Sequence, residues 1–194
     1  ISNNSMTEYA GSRSVRPVFS ACAAAAVYLR DCLEAVKLGN GQYFDNLYFA
    51  YYEDIDLSIR LNAAGFKGVS VPTAVVYHKH SRTAGASSAL KAFYSEKNRM
   101  LNIILNYPFY LMITAEIFFA VKVIILLFLS LSGRKGRGRD YMENVGIFHM
   151  IIIFVKARLW IAANLIPILK DRGGRKRKGL VLRDIYARSQ KTLF

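Results

Sequence analysis

Three carboxylates fall within four residues at Glu53-Asp54-Ile55-Asp56. Such a cluster repels itself unless a cation or a hydroxyl partner shares it. Two explanations fit. Asp54 could act as a general base, taking a proton from a substrate hydroxyl. Alternatively, acidic residues simply favour the positive end of a helix macrodipole. Tyr48, Phe49, Tyr51 and Tyr52 flank the cluster and could wall a cleft and stack on a sugar ring. A second group is His78-Lys79-His80. In a strand, residues i and i+2 face the same side, so both imidazoles would point one way. They could be metal ligands, which would need carboxylates nearby, or exposed polar residues at a strand end. The third group is Lys91, Asn98 and Arg99 on one helix. Its cations could neutralise a diphosphate as negative charge develops, or the group could be a solvated helix face.

The elements that must position these residues follow from local pattern. Residues 1–107 alternate short apolar runs with helical periods, as an α/β domain does. The run FSACAAAAVYL, Phe19 to Leu29, reads as a buried strand entering a short helix near Arg30–Val36. The stretch LGNGQYFD at 38–45 is loop by its Gly and Asn content. A helix starts near Asp54, carries Leu57, Leu61 and Ala64 on one face and closes at Gly65 in the C′ position. FKGVSV (66–71) and AVVYHKH (74–80) read as two strands around Pro72. A longer helix runs from Ser87 to Tyr107, with Lys91, Ser95, Asn98, Asn102 and Asn106 as its polar stripe.

Composition places the rest. The chain has 194 residues, 53% of them hydrophobic, with 27 Lys and Arg against 13 Asp and Glu. That apolar share excludes a disordered chain, and two cysteines, Cys22 and Cys32, argue against a disulfide scaffold and for free thiols. The net charge of +14 is uneven: residues 1–107 hold +3, and +11 lies from Gly133 onward. Phe109–Ser132 and Val145–Leu169 are apolar runs long enough to cross a hydrocarbon core of roughly 30 Å. The first carries Glu116 and Lys122, and the second carries Lys156 and Arg158 in its middle. Basic clusters, GRKGRGR (133–139) and KDRGGRKRK (170–178), follow the runs directly. An anionic membrane surface is the expected partner, approached by interfacial helices or by true spans. Nucleic acid is not expected, because no stacking platform or recognised motif accompanies the basic clusters. Three regions result: 1–107, an α/β unit; 108–170, two membrane-associated helices with a basic linker; and 171–194, a basic tail.

The run YFAYYEDIDLSIRLNAAGFKGVSVPTAVVYHKHSRTAG, continued by KAFYSEKNRMLNIILNYP, resembles the second half of family 2 glycosyltransferases, in the bacterial rhamnosyltransferase-like branch. The resemblance covers about Val18 to Pro108 and more loosely WIAANLIPILKDR. It implies the C-terminal, acceptor-side half of a GT-A domain and an inverting mechanism, with a nucleotide-sugar donor and a polyprenyl-diphosphate-linked or glycan acceptor. By the same resemblance Asp54 matches the catalytic base, and Glu53 and Asp56 match acceptor contacts. His78, with His80 as second choice, matches a ligand of a divalent Mg²⁺ or Mn²⁺ ion. Lys91, Asn98 and Arg99 lie near the donor diphosphate. The family's nucleotide-binding half and its Asp-x-Asp motif are not among these residues, and Ile1 opens a polar stretch that reads as a fragment boundary. The location this implies is the cytoplasmic face of a bacterial inner membrane. A non-catalytic, membrane-anchored binding module of the same fold is the alternative.

Overall fold

The computed structural model describes residues 14–76, 88–131 and 146–181. Helices dominate. The order is β1 (Arg16–Val18), a 3-10 turn (Ala23–Ala25), α1 (Arg30–Ala35), α2 (Glu53–Ala63), β2 (Gly68–Ser70), α3 (Ala89–Asn106), α4 (Phe109–Leu131), α5 (Ile147–Ala163) and α6 (Leu165–Arg177). β1 and β2 pair antiparallel, with Pro17 opposite Val69. They form the one sheet among the described residues.

Several expected elements form where their signals lie. α2 ends in Gly65 at φ +95°, a left-handed position that favours glycine. α3 opens on Ser88, whose Oγ accepts from the Lys91 amide at 3.2 Å, replacing one unsatisfied N-terminal donor. β2 falls inside 66–71. The Phe19–Leu29 run does not form the expected buried strand. It is extended chain around one 3-10 turn, with Val27 99% exposed. Short alanine side chains bury little surface, and no described strand pairs with the segment. Residues 74–76 are irregular, and the remainder of the 74–80 strand, with His78 and His80, lies outside the described residues.

Packing centres on α3. Leu101 and Leu105, one turn apart, meet Ile161 of α5, Ile168 of α6 and Tyr48 in the main apolar cluster. Burying each such aliphatic side chain contributes about 1.5–3 kcal/mol. A second cluster joins Val36, Leu57 and Leu180, closing the far side of α2. The C-terminal helices are thus built into the core of the α2–α3 unit and are no separate appendage.

α5 and α6 meet at Asn164 with a 67° bend. Asn164 ends one helix and opens the next, and Pro167, three residues further, has no amide to donate back to Ala163. Among the described residues no single helix is long and apolar enough to cross a membrane; this bent pair passes only when taken together. In α4, Glu116 and Lys122 leave 123–131 as the longest uncharged stretch, well short of a hydrocarbon core. Glu116 faces protein: Arg99 lies 2.9 Å from it and Arg158 3.7 Å. Arg158 also reaches Glu96 at 3.2 Å, so one of the two mid-helix charges of the second apolar run is paired. Opposite these contacts, Phe118, Ile124 and Phe128 of α4 and Phe148, Leu159 and Ile166 of α5 and α6 present apolar side chains outward.

Candidate functional site

α2 begins after an unusual lead-in. Phe49, Tyr51 and Tyr52 all have positive φ, 63°, 68° and 70°. Such conformations cost a non-glycine residue about 1–3 kcal/mol each and persist only where the surroundings hold them. Asn98 of α3 supplies that hold. Its Nδ2 lies 2.9, 2.6 and 2.7 Å from the carbonyl oxygens of Tyr48, Ala50 and Tyr51. Lys97 adds a fourth tie, donating from Nζ to the Leu47 carbonyl at 2.6 Å. The Lys97 ammonium also sits 4.2 Å from the Trp160 ring centroid. Burial pulls its pKa down from 10.5 to about 8, against a weaker upward pull from Asp45.

This loop delivers Glu53 and Asp54 to the first turn of α2. Asp54 is half-buried; its Oδ1 accepts from the Ile55 amide at 2.8 Å and its Oδ2 from the Ala23 amide at 3.3 Å. Two further bonds fasten the 19–23 segment across α2: Ser20 Oγ to Ser58 Oγ at 3.1 Å, and Asn62 Nδ2 to the Phe19 carbonyl at 2.9 Å. The Glu53 carboxyl is raised above its ordinary pKa, chiefly by burial, and its Oε2 is a buried atom with no hydrogen-bond partner among the described residues. The Tyr28 hydroxyl is likewise without one, and burial followed by the Asp54 charge pushes its pKa up. Phe49 is 77% exposed with its ring 5.0 Å from Tyr94, and Lys91 Nζ lies 5.9 Å from the Tyr51 ring centroid. Glu53, Asp54, Phe49, Tyr51 and Lys91 therefore share one neighbourhood, linked through the 49–54 backbone and these ring contacts.

Other predicted residues stand elsewhere. Asp56, expected at the acceptor, is fully buried. Arg60 Nε donates to it at 3.0 Å, Asn106 Nδ2 at 2.8 Å and the Tyr48 hydroxyl at 3.3 Å, and Arg175 Nη1 pairs with it directly. Burial alone would raise the Asp56 carboxyl, but Arg175 and Arg60 outweigh it and hold the pKa below 3.8. A substrate hydroxyl has no open lone pair to reach there. Tyr48, read as a cleft wall, is 0% exposed in the same cluster. Asn98 has 0% exposure and its Nδ2 is shared among the three carbonyls, while its Oδ1 has no partner among the described residues, so it is not a solvated residue. Arg99 is ion-paired to Glu96 at 3.0 Å and to Glu116 at 2.9 Å and stacks 3.8 Å from the Phe119 ring centroid. Its positive charge is balanced within the protein, which removes it as a ready partner for a diphosphate.

The sequence reading missed Arg175. It sits in the basic cluster expected to open a basic tail, yet it is 2% exposed. Beyond Asp56 it reaches Asp45 at 2.6 Å, Asp171 at 2.9 Å and the Asn106 Oδ1 at 3.1 Å. The four-residue spacing from Asp171 was the one legible clue.

A divalent ion needs several convergent oxygen or imidazole ligands. Among the described residues no group of three His, Cys, Asp or Glu side chains offers that, and Asp45, Asp56 and Asp171 are occupied by Arg175. The described residues alone do not fit the metal, and His78 and His80 lie outside them.

No family model matches the chain, and no solved structure matches it. Two curated relatives are similar over a short stretch. They are the N-acetylglucosaminyl-diphospho-decaprenol L-rhamnosyltransferases of Mycobacterium tuberculosis strains CDC 1551 / Oshkosh and ATCC 25618 / H37Rv. Each is 42% identical over 60 residues, 30% of this chain and 20% of the relative. The match thus spans about a fifth of the relatives' length, and it is a partial similarity to a glycosyltransferase.

Proposed function

We propose that this chain is the acceptor-side part of an inverting glycosyltransferase working at a membrane surface. Asp54 takes the proton from an acceptor hydroxyl, whose oxygen attacks the anomeric carbon opposite the departing nucleotide diphosphate. Glu53, with its unpartnered Oε2, receives an acceptor hydroxyl beside it. The observation that carries the reading is the half-buried Asp54 carboxylate, held by the Ala23 and Ile55 amides at the start of α2. The backbone that delivers it is strained and braced from another helix, as positioned catalytic groups often are. The partial similarity to rhamnosyltransferases adds support, and their name gives the substrates to try first: an activated L-rhamnose and an N-acetylglucosaminyl-diphospho-decaprenol acceptor. The outward apolar side chains of α4, α5 and α6 support contact with a bilayer interface.

The test is Asp54→Asn in the whole protein that contains this chain. Transfer of labelled sugar to a polyprenyl-diphosphate acceptor should fall by about 10²–10⁴, the usual contribution of a general base. Sedimentation with vesicles should stay unchanged. Normal turnover by that variant would defeat the assignment, and retained membrane binding without any transfer by the unaltered protein would favour a non-catalytic binding module.

A further inference from the structure

A cleft of ≈ 330 Å³ opens between the turn after α1 and the outer side of α6. Five of its lining residues are cationic: Lys37 from the turn, and Lys170, Arg175, Arg177 and Lys178 from α6 and its cap. Two cross-contacts fix the walls. Lys178 Nζ donates to the Lys37 carbonyl at 3.0 Å, and Lys37 pairs with Glu34 at 3.0 Å. Arg175 and Asp171 also line the cleft, but they are engaged with each other and with the buried carboxylates. Lys170 and Arg177 are exposed, so their charge meets whatever enters. Leu38, Pro167 and Leu180 make the remaining wall apolar. Ile166, 83% exposed, and Leu169, 49% exposed, flank the cleft along the same helix. Gly174 keeps it open: a Cβ there would meet no atom within 4 Å, although glycine weakens a helix interior.

We infer that this basic, apolar-rimmed cleft binds the phosphate of an anionic membrane lipid, seating α6 on the bilayer with Ile166 and Leu169 toward the acyl boundary. The inference rests on the membrane-surface part of the proposed function and names the residues that make the contact. The charge pattern selects the occupant. Cations converge from two chain segments, which suits a phosphate, and the apolar side chains beside them suit the lipid that carries it.

The test is binding of the full 194-residue chain to phosphatidylcholine vesicles with and without phosphatidylglycerol. Lys170→Gln with Arg177→Gln should weaken binding to phosphatidylglycerol vesicles by about 25-fold, from about fivefold per cation near an anionic surface. Arg16→Gln with Lys67→Gln removes the same charge at the β1–β2 sheet and should change binding less than about twofold. Gly174→Leu changes no charge and puts its side chain into the open space of the cleft; it should weaken binding about tenfold, while helix content is kept or raised. Equal losses in the two charge pairs, or a Gly174→Leu chain that binds normally, would overturn the cleft while leaving membrane association standing. Should the unaltered chain ignore phosphatidylglycerol altogether, both fall, with the Asp54 transfer assay untouched. Inorganic phosphate is the other source of the same chemistry. If it binds in a way that Gly174→Leu abolishes, with vesicle binding unmoved, the site belongs to a free anion and the lipid assignment is overturned.

Discussion

Replacing Arg175 with methionine tests how α6 is joined to the rest of the protein. The substitution keeps most of the apolar stem and removes a guanidinium that contacts Asp45, Asp56, Asp171 and Asn106. Asp56 would keep Arg60, Asn106 and Tyr48, so its charge stays compensated. The Asp45 carboxylate, whose Oδ1 also accepts from the Leu47 amide at 2.9 Å, would be left without a cation. Breaking a buried pair by removing one partner costs about 3–5 kcal/mol. Because Asp56 retains a cation, the low end applies, about 3 kcal/mol out of a typical total of about 5–15. In urea, with a slope of about 2 kcal/mol per molar, the unfolding midpoint should fall by about 1.5 M. Adding Asp45→Asn should recover part of the loss, because the second change removes the stranded charge. The acid limb should respond too. Asp56 has a depressed folded pKa, so its stabilisation is present above 3.8 and fades as pH falls below that value toward the folded pKa; without Arg175 this limb should flatten. A loss under about 0.5 kcal/mol, the range of ordinary surface substitutions, would refute the buried placement of Arg175.

Two more tests address the loop that carries Asp54. Asn98→Ala should destabilise the protein by about 2 kcal/mol, two N–H donors shared among three carbonyls at about 1 kcal/mol each, and should speed amide hydrogen exchange at 48–52. Asn98→Asp should be worse, since it sets a carboxylate against three carbonyls; a neutral effect of either substitution in denaturant melts would count against the bracing role. Lys97 predicts a pH signature. Its folded pKa is lowered to about 8, so the folded state holds fewer protons than the unfolded one up to 10.5, and stability should rise with pH through that window. Lys97→Met should abolish the rise, as read from urea midpoints on either side of the window.

How much could be read beforehand depended on whether a signal was local. Punctuation is local, and Gly65 placed the end of α2 well, while the Ser88 cap of α3 emerged only in the structure. The spacing of Asn98, Asn102 and Asn106 marked one face of α3 correctly, but periodicity names a face without naming what covers it. Here the chain covers it, and all three asparagines are buried. Composition misled in two places. FSACAAAAVYL has the apolar character of a strand but lacks the alternation and the bulk that would pack one. KDRGGRKRK averages to a solvated cluster, which hides Arg175, buried among carboxylates, and Arg172, which donates to the Ile104 carbonyl. Nothing within a few residues of Asp56 announces a partner 119 positions away.

That separation has a consequence for how the protein is made. Asp56 and Asp45 meet Arg175 across 119 and 130 residues, so neither pair can close until the ribosome has released the last helix. At about 5–20 residues per second, the acidic end of α2 waits roughly 6–24 s after synthesis with its inward carboxylate half-matched. During that interval the outward apolar side chains of α4 and α5 are already emerging. The nascent chain therefore meets its surroundings, a bilayer or a chaperone, before the helix bearing Asp54 has its final support. A stop codon anywhere before position 175 would yield a product in which the carboxylate cluster is complete in sequence and unsupported in structure.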